Sequence, residues 1–330
     1  CEYLSYAGFM TASHIAADRE SQRVTRVNAV EEVDAYESSV GGVTVTGVRI
    51  GKGSGPNTVL STAGDSFVAN SIKMQFPMAN RSSFSDSTVL AACVRSAPAG
   101  ATWVGRDLEP GAVVLYGPGS EHTAINPEGL KFDFVVCSVD DFERVADELQ
   151  LAVKAPRRGQ ALFLAPTRGV RRFSRELSDL LSAAEHGVDP QANHEQDVLH
   201  QLANALVDVE ASERLGSERR VDDRAVTNAS IEYAEAIERL PTLRELCRVA
   251  HLSDRRLRQA FTNTYGLPPT TFFRTWGLNK AHEALAASDP SQSTVTWTAK
   301  RLGFAHLGRF AIRYKALYGE SPSATLERIP

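Results

Sequence analysis

Leu243-Arg244-Glu245-Leu246-Cys247, a turn at His251-Leu252-Ser253, then residues 254–264 closed by Tyr265-Gly266-Leu267-Pro268-Pro269: the fold of this 330-residue chain turns on that stretch. Its punctuation is helix, tight turn, helix, then Gly and Pro as a stop signal. The same punctuation returns downstream. Residues 295–302 lead to a turn at Gly303-Phe304-Ala305, then 306–317, then the stop Tyr318-Gly319-Glu320-Ser321-Pro322. Between the copies, 270–287 spaces Phe272, Phe273, Trp276, Leu278, Ala281 and Leu285 as in a long, mostly buried helix. Two like units on one spacer predict an all-α C-terminal domain.

In the first copy Ser253 is an N-cap, its hydroxyl able to accept from a backbone N–H that the helix leaves unpaired. Stepping roughly 100° per residue from Asp254 puts Leu257, Ala260, Phe261 and Thr264 on one stripe and Arg255, Arg258, Gln259 and Thr262 nearly opposite. One stripe is core. The other is a free Arg/Gln/Thr face, and these side chains suit base edges in a DNA major groove, where a good bidentate pair contributes roughly 1–3 kcal/mol of discrimination. In the second copy Leu307, Phe310, Tyr314 and Leu317 form the core stripe, with Gly308, Ile312 and Lys315 opposite and Arg309 on a flank. Ile312 suits a thymine methyl, Arg309 a guanine or a phosphate, and Arg313 and Lys315 phosphates. This face is the less polar, so the first copy is expected to read sequence and the second to add affinity. Helices reading successive major grooves sit about 34 Å apart.

Residues 242–327 resemble the DNA-binding domain of the AraC/XylS family of bacterial transcription regulators. The residues that carry the resemblance are Leu243, Leu246, Ser253, Leu257, Phe261 and Gly266 in the first copy, and Ala299, Gly303, Phe304, Phe310, Tyr314, Gly319 and Pro322 in the second. The string Gly303-Phe304-Ala305-His306-Leu307-Gly308-Arg309-Phe310 is similar to that of one subgroup. The resemblance places base contacts on Arg255, Arg258 and Gln259, and on Leu307, Gly308, Arg309, Ala311 and Ile312. It also marks departures. Gly277 and His282 stand where the spacer helix usually carries Arg, Gly308 replaces a common Ser or Gln, and His251 stands where the first turn often has Gly.

Charge divides the chain in two. Residues 242–330 carry 13 Lys/Arg against 6 Asp/Glu, a net of +7, which leaves 23 against 34, a net of −11, in 1–241. A basic tail on an acidic body fits phosphate contact and a salt-sensitive affinity. Cys1, Cys93, Cys137 and Cys247 show no paired spacing, so a zinc cluster and a disulfide framework are not expected and a reducing cytoplasm is. No apolar run reaches membrane length, nor is there a signal-like segment. The chain opens at Cys1 and not at Met, and the expectation is that its natural N-terminus lies upstream.

Within 43–137 the signals are β: residues 43–46, 88–94, 102–104, 112–116 and 130–137, divided by Gly, Pro, Asn and Ser clusters, as in an antiparallel sandwich or barrel. Residues 108–122, from Leu108-Glu109-Pro110-Gly111 to Ser120-Glu121-His122, resemble the turn-strand-turn of the cupin-like sensor domain in the same family. His122 lacks the second His of a metal-binding cupin, so no metal, cofactor or catalytic residue is expected. A barrel mouth is a common small-ligand site, and Met74, Phe76, Trp103, Tyr116, His122, Phe132 and Phe134 are the candidate effector contacts; core packing is the plainer role for each. Residues 171–186 and 191–209 have the spacing of two amphipathic helices. Such helices either pair two subunits, as the resemblance implies, or cover the sheet of their own chain.

The expected fold class is therefore α+β: an antiparallel, cupin-like barrel with flanking helices, then an all-α domain with two helix-turn-helix motifs joined by a long helix. The expected divisions are a sensing domain over 1–165, a helical segment over 166–212, a charge-rich linker over 213–224 and the DNA-binding domain over 225–330. The resemblance implies a cytoplasmic, non-enzymatic, sequence-specific transcription regulator, an activator, with promoter DNA, a small-molecule effector and RNA polymerase as partners and a homodimer as its assembly. A cupin-like enzyme with a DNA-binding appendage, and a regulator controlled by a protein partner, are the competing expectations.

Overall fold

A computed structural model describes residues 26–30, 43–64, 66–186, 192–207, 213–215, 218–290 and 293–328. Thirteen strands lie among these: β1 (Arg26–Val30), β2 (Val43–Arg49), β3 (Asn57–Ala63), β4 (Phe67–Lys73), β5 (Met78–Phe84), β6 (Thr88–Ser96), β7 (Thr102–Trp103), β8 (Arg106–Asp107), β9 (Val113–Tyr116), β10 (Glu121–Asn126), β11 (Lys131–Ser138), β12 (Ala161–Leu164) and β13 (Glu213–Leu215). They form an eight-stranded sheet ordered β1-β3-β4-β11-β6-β9-β12-β13 and a five-stranded sheet ordered β2-β5-β10-β7-β8. Each pairing is antiparallel.

The large sheet is covered on both faces, which explains the unbroken apolar run along β6. Alternate residues there serve different cores: Leu90, Ala92 and Val94 face the small sheet, whereas Val89, Ala91 and Cys93 face the helices. Those helices are α1 (Val139–Glu148), α2 (Arg168–Glu185) and α3 (Ala192–Val207). Phe173, Leu177 and Leu181 of α2 and Val198, Leu199 and Leu202 of α3 are buried in that second core. The apolar stripes of α2 and α3 therefore cover the chain's own sheet.

The chain departs from the expected linker. Within 213–224, Glu213–Leu215 adds β13 to the large sheet, and Glu218 opens α4 (Glu218–Ile237), so the described part of this stretch is ordered. An edge strand and the first turn of a helix take a charge-rich composition as readily as a flexible tether does. The structure also holds strands without an apolar signature: β3, β4, β5 and β10 bury Asn57, Asn70, Asn80, Ser82 and Asn126.

The helical domain continues with α5 (Leu243–Val249), α6 (Asp254–Tyr265), the spacer α7 (Pro269–Ala286), α8 (Val295–Arg301), α9 (Leu307–Tyr318) and α10 (Pro322–Glu327). Two apolar clusters share the spacer. Phe272, Phe273 and Trp276 join Leu246, Leu257 and Phe261 of the first unit, and Leu278, Ala281 and Leu285 join Ala299, Phe310 and Tyr314 of the second. Gly277 lies between the two sets. A Cβ there would come within 2.6 Å of Leu240 Cδ2 and 3.2 Å of Phe304 Cζ, so close packing explains the glycine where the family usually carries Arg.

The two domains dock. Val48 of β2 and Ala79 of β5 are buried in the same cluster as Phe261 and Phe272. The Arg49 backbone N–H donates to Asn279 Oδ1 at 2.9 Å, and its guanidinium lies over the rings of Phe76 and Tyr318 at 4.4 and 5.1 Å. Arg81 on β5 bonds both Glu121, at 2.7 Å, and Asn228 on α4.

Candidate functional site

Local chemistry sets both reading helices. Thr242 and Glu245 form a capping box at the start of α5, Ser253 Oγ accepts from the Arg256 N–H at the start of α6, and Gly266 ends α6 at φ 65°. Gly319 ends α9 in the same left-handed way at φ 82°. The turn inside each unit also needs a left-handed residue: Gly303 at φ 89° in the second, but His251 at φ 53° in the first. A non-glycine residue there costs about 1–2 kcal/mol. His251→Gly is accordingly expected to raise the unfolding free energy of the helical domain by up to about 1 kcal/mol, after the added freedom of the unfolded chain is subtracted. A urea titration checks this, and a lower midpoint would count against the strained-turn account.

Of the eleven predicted contact residues the structure leaves nine exposed, Arg255, Arg258, Gln259 and Thr262 on α6 and Gly308, Arg309, Ile312, Arg313 and Lys315 on α9, and it holds Leu307 and Ala311 half-buried. Ile312 is 72% exposed, a large apolar side chain that a monomer gains nothing by presenting to water. The opposite faces are buried, with Leu257, Ala260, Phe261 and Thr264 on α6 and Phe310, Tyr314 and Leu317 on α9. Arg258 is held by Asp254 through two bonds, Nε–Oδ1 at 2.6 Å and Nη2–Oδ2 at 3.2 Å, and Gln259 donates to Asn263 at 2.7 Å. Arg255, Arg309, Arg313 and Lys315 have no ion-pair partner among the described residues. A Cβ on Gly308 would meet nothing within 4 Å, so its surface is open.

His282, the second departure from the family pattern, is buried in the helical core. Its ring stacks on Tyr318 at 3.9 Å, and its Nδ1 lies 2.6 Å from Tyr314 Oη. Tyr314 donates to Thr325 Oγ1 at 2.8 Å, and Thr325 donates to Glu320 at 2.7 Å, so the chain of donors runs consistently from His282 Nδ1–H to a carboxylate. Burial is the main cause that lowers the His282 pKa to about 4.

In the barrel, Met74, Trp103, Tyr116, His122, Phe132 and Phe134 line one cavity of about 80 Å³ between the sheets. Phe76, the seventh candidate, does not line it; it is buried beneath Arg49 at the domain contact. Sequence reasoning missed Asn80, Ser82 and Asn126, which also line the cavity. His122 Nδ1 lies 2.6 Å from Tyr116 Oη, and burial lowers the His122 pKa to about 3 while raising that of Tyr116. Among the described residues no three His, Cys, Asp or Glu gather as a metal site. Burial also pushes the Cys93 and Cys137 thiols up to about 12, which leaves them unreactive.

Two helix-turn-helix units on a shared buried spacer, each with one face packed and one face free, define a double helix-turn-helix DNA-binding domain. A helix-turn-helix domain family matches residues 246–328. The chain is similar to the probable thc operon regulatory protein of Rhodococcus erythropolis, 35% identical over 106 residues that cover 32% of each protein. It is also similar to XylDLEGF operon transcriptional activator 2 of Pseudomonas putida, 34% identical over 92 residues, 28% of this chain and 59% of that one. The chain thus spans less than two thirds of the length of these relatives. A probable AraC family transcriptional regulator from Rhodopseudomonas palustris, a solved structure, is 34% identical over 32% of this chain and 96% of its own, with a TM-score of 0.29. The C-terminal domain belongs to the AraC/XylS family.

Proposed function

We propose that the whole chain is a sequence-specific transcription regulator, and not an enzyme, in which the barrel senses a small molecule and the two units read successive major grooves of promoter DNA. The observation that carries this reading is the pair of exposed faces on α6 and α9, each backed by its own core on α7. Activation is proposed because a relative is named a transcriptional activator, with RNA polymerase as the partner that activation requires. A cytoplasmic location and a homodimer belong to the same proposal. No helix among the described residues is long and apolar enough to cross a membrane. The test is a gel-shift series with the DNA upstream of the gene across a range of salt. Specific retardation that weakens as salt rises supports the reading, and no specific retardation at any salt overturns it.

The two helices have separable duties. Arg258→Ala is expected to cost about 1–3 kcal/mol at one base position and to relax the sequence preference there. Lys315→Ala is expected to weaken binding evenly on all sequences and to lower the salt slope by about 1. Competition titrations with operator and random duplexes measure both, and equal losses on the two duplexes for both variants would reverse the assignment. Since Asp254 already holds Arg258, base reading by Arg258 requires that this exposed pair be shared or exchanged. Exposed pairs of this kind are worth only about 0.3–0.5 kcal/mol, so the exchange is cheap.

A further inference from the structure

The cavity between the sheets has a wall chemistry that restricts what it can hold. None of its lining residues is Lys, Arg, Asp or Glu. Its rings are Phe84, Trp103, Tyr116, Phe132 and Phe134, with Trp103 edge-on to Phe132 at 5.0 Å and Phe84 tilted against Tyr116 at 5.0 Å. A dry cavity of roughly 150 Å³ holds benzene, so a partly open space of about 80 Å³ sets a single ring as the upper limit of what enters.

Most polar groups in the wall satisfy one another. Trp103 Nε1–H donates to Asn126 Oδ1 at 3.0 Å, Asn126 Nδ2–H to Asn80 Oδ1 at 2.9 Å, and Asn80 Nδ2–H to Ser82 Oγ at 3.1 Å. Beside the second amide hydrogens of Asn80 and Asn126, two donors are left over. The Ser82 hydroxyl accepts from Asn80 and retains its own proton. Tyr116 donates to His122 Nδ1 in the arrangement that leaves the fewest groups unmet, because the reverse would strand the buried phenol proton. A neutral His122 then carries its proton on Nε2, which has no hydrogen-bond partner among the described residues. Ser82 and His122 are direct cross-strand neighbours in the β5–β10 register, so the two donors lie on one face, within reach of a single atom.

We propose, building on the reading of the barrel as the sensing domain, that this cavity binds an uncharged, flat, mostly apolar compound of single-ring size whose one acceptor oxygen is held between His122 and Ser82. A carboxylate of the same shape is disfavoured, because it would be desolvated against two neutral donors with no cation to offset the cost. A hydrocarbon of the same shape fits the rings but leaves both donors unmet.

Three probes of nearly equal size separate these cases by calorimetric titration at neutral pH: acetophenone, benzoate and ethylbenzene. Acetophenone is expected to bind at least about tenfold more tightly than benzoate, and about three- to tenfold more tightly than ethylbenzene, the range one net hydrogen bond supplies. Ser82→Ala and His122→Phe should each erase much of the preference over ethylbenzene while ethylbenzene still binds, which shows the cavity to be intact. Nitrogen NMR of the wild type should find His122 in the Nε2–H tautomer, a readout that does not depend on either variant folding. Benzoate binding as tightly as acetophenone, equal binding of all three, binding of none at millimolar concentration, or an Nδ1–H tautomer would each overturn the proposal. The sensor reading fails separately: acetophenone binding with the expected preference but leaving operator affinity unchanged would sustain the cavity assignment and remove its regulatory role.

Discussion

Phe261→Ala is expected to lower the unfolding free energy of the helical domain by about 3–5 kcal/mol and to abolish specific retardation of DNA near physiological temperature. Phe261 is fully buried, with ring centroids 6.0 Å from Tyr265, 5.3 Å from Phe272 and 5.4 Å from Phe273. The rings of Phe272 and Phe273 tie α6 to the spacer α7. A domain of ordinary stability holds only about 5–15 kcal/mol, so the loss is a large part of it. The effect should be unequal across the two units. Phe310 of the second unit, at the helix position that Leu257 holds in the first, packs on Phe304 and Tyr314 in a different cluster, so Phe310→Ala should unseat α9 and leave the first unit's core intact. Urea unfolding of both variants, with gel shifts on operator and random DNA, measures the asymmetry. A loss below about 1 kcal/mol for Phe261→Ala would mean that the cluster is not what seats α6.

The contrast between these two clusters and the barrel explains what could be read in advance. The C-terminal units announce themselves through local rules: Ser253 and Thr242 as caps, Gly266 and Gly319 as left-handed stops, and apolar residues at helical spacing. Each rule acts within a few residues, so the sequence displays it directly. Strands β3, β5 and β10 follow no such rule. Asn57, Asn80 and Asn126 are buried where residues distant in the chain meet their side-chain oxygens or amides; Asn57 Oδ1, for example, accepts from the backbone N–H groups of Gln75 and Phe76 at 2.6 and 2.9 Å. Sequence patterning sees such residues as turn formers. The cavity shows the same division. Its aromatic wall could be named from composition, but the donor pair of Ser82 and His122 exists only through the β5–β10 register. Phe76 marks the opposite failure: it is buried in the same core as Met74 and Trp103 but does not line the cavity, since an aromatic side chain signals burial without saying whether an open space lies beside it. The docking of β2 and β5 on the helical domain had no signal of its own, because Val48 and Ala79 look like any outward-facing strand residues until α6 and α7 cover them.

Acid should destabilise both domains well before their carboxylates titrate. The folded-state pKa values of His122 and His282 are about 3 and about 4, against an unfolded value of 6.5. A histidine buried in its neutral form is most stabilising above its unfolded pKa. As the pH falls below 6.5 the unfolded chain takes up the proton and the folded chain does not, so stability falls through this window until the folded pKa is reached. At about 1.4 kcal/mol per pH unit, each histidine removes about 2 kcal/mol by pH 5. One loss falls on the barrel, through His122, and the other on the helical domain, through His282. Desolvation is the main cause in both. At His282 Glu320 acts against it, whereas Arg328 and Arg49 reinforce it. In the helical domain the low carboxylate pKa of Glu245, about 2 beside Arg239 and Thr242, contributes its own loss only at more acidic pH, whereas in the barrel burial raises the Asp133 carboxyl pKa, which acts with the opposite sign to His122 as the pH falls. Urea titrations at pH 7, 6 and 5 should show this decline, and His282→Gln should flatten it for the helical domain alone. Unfolding free energies that stay constant from pH 7 to 5 would show that these two imidazoles are not held neutral by burial, and the donor assigned to His122 in the cavity would fall with them.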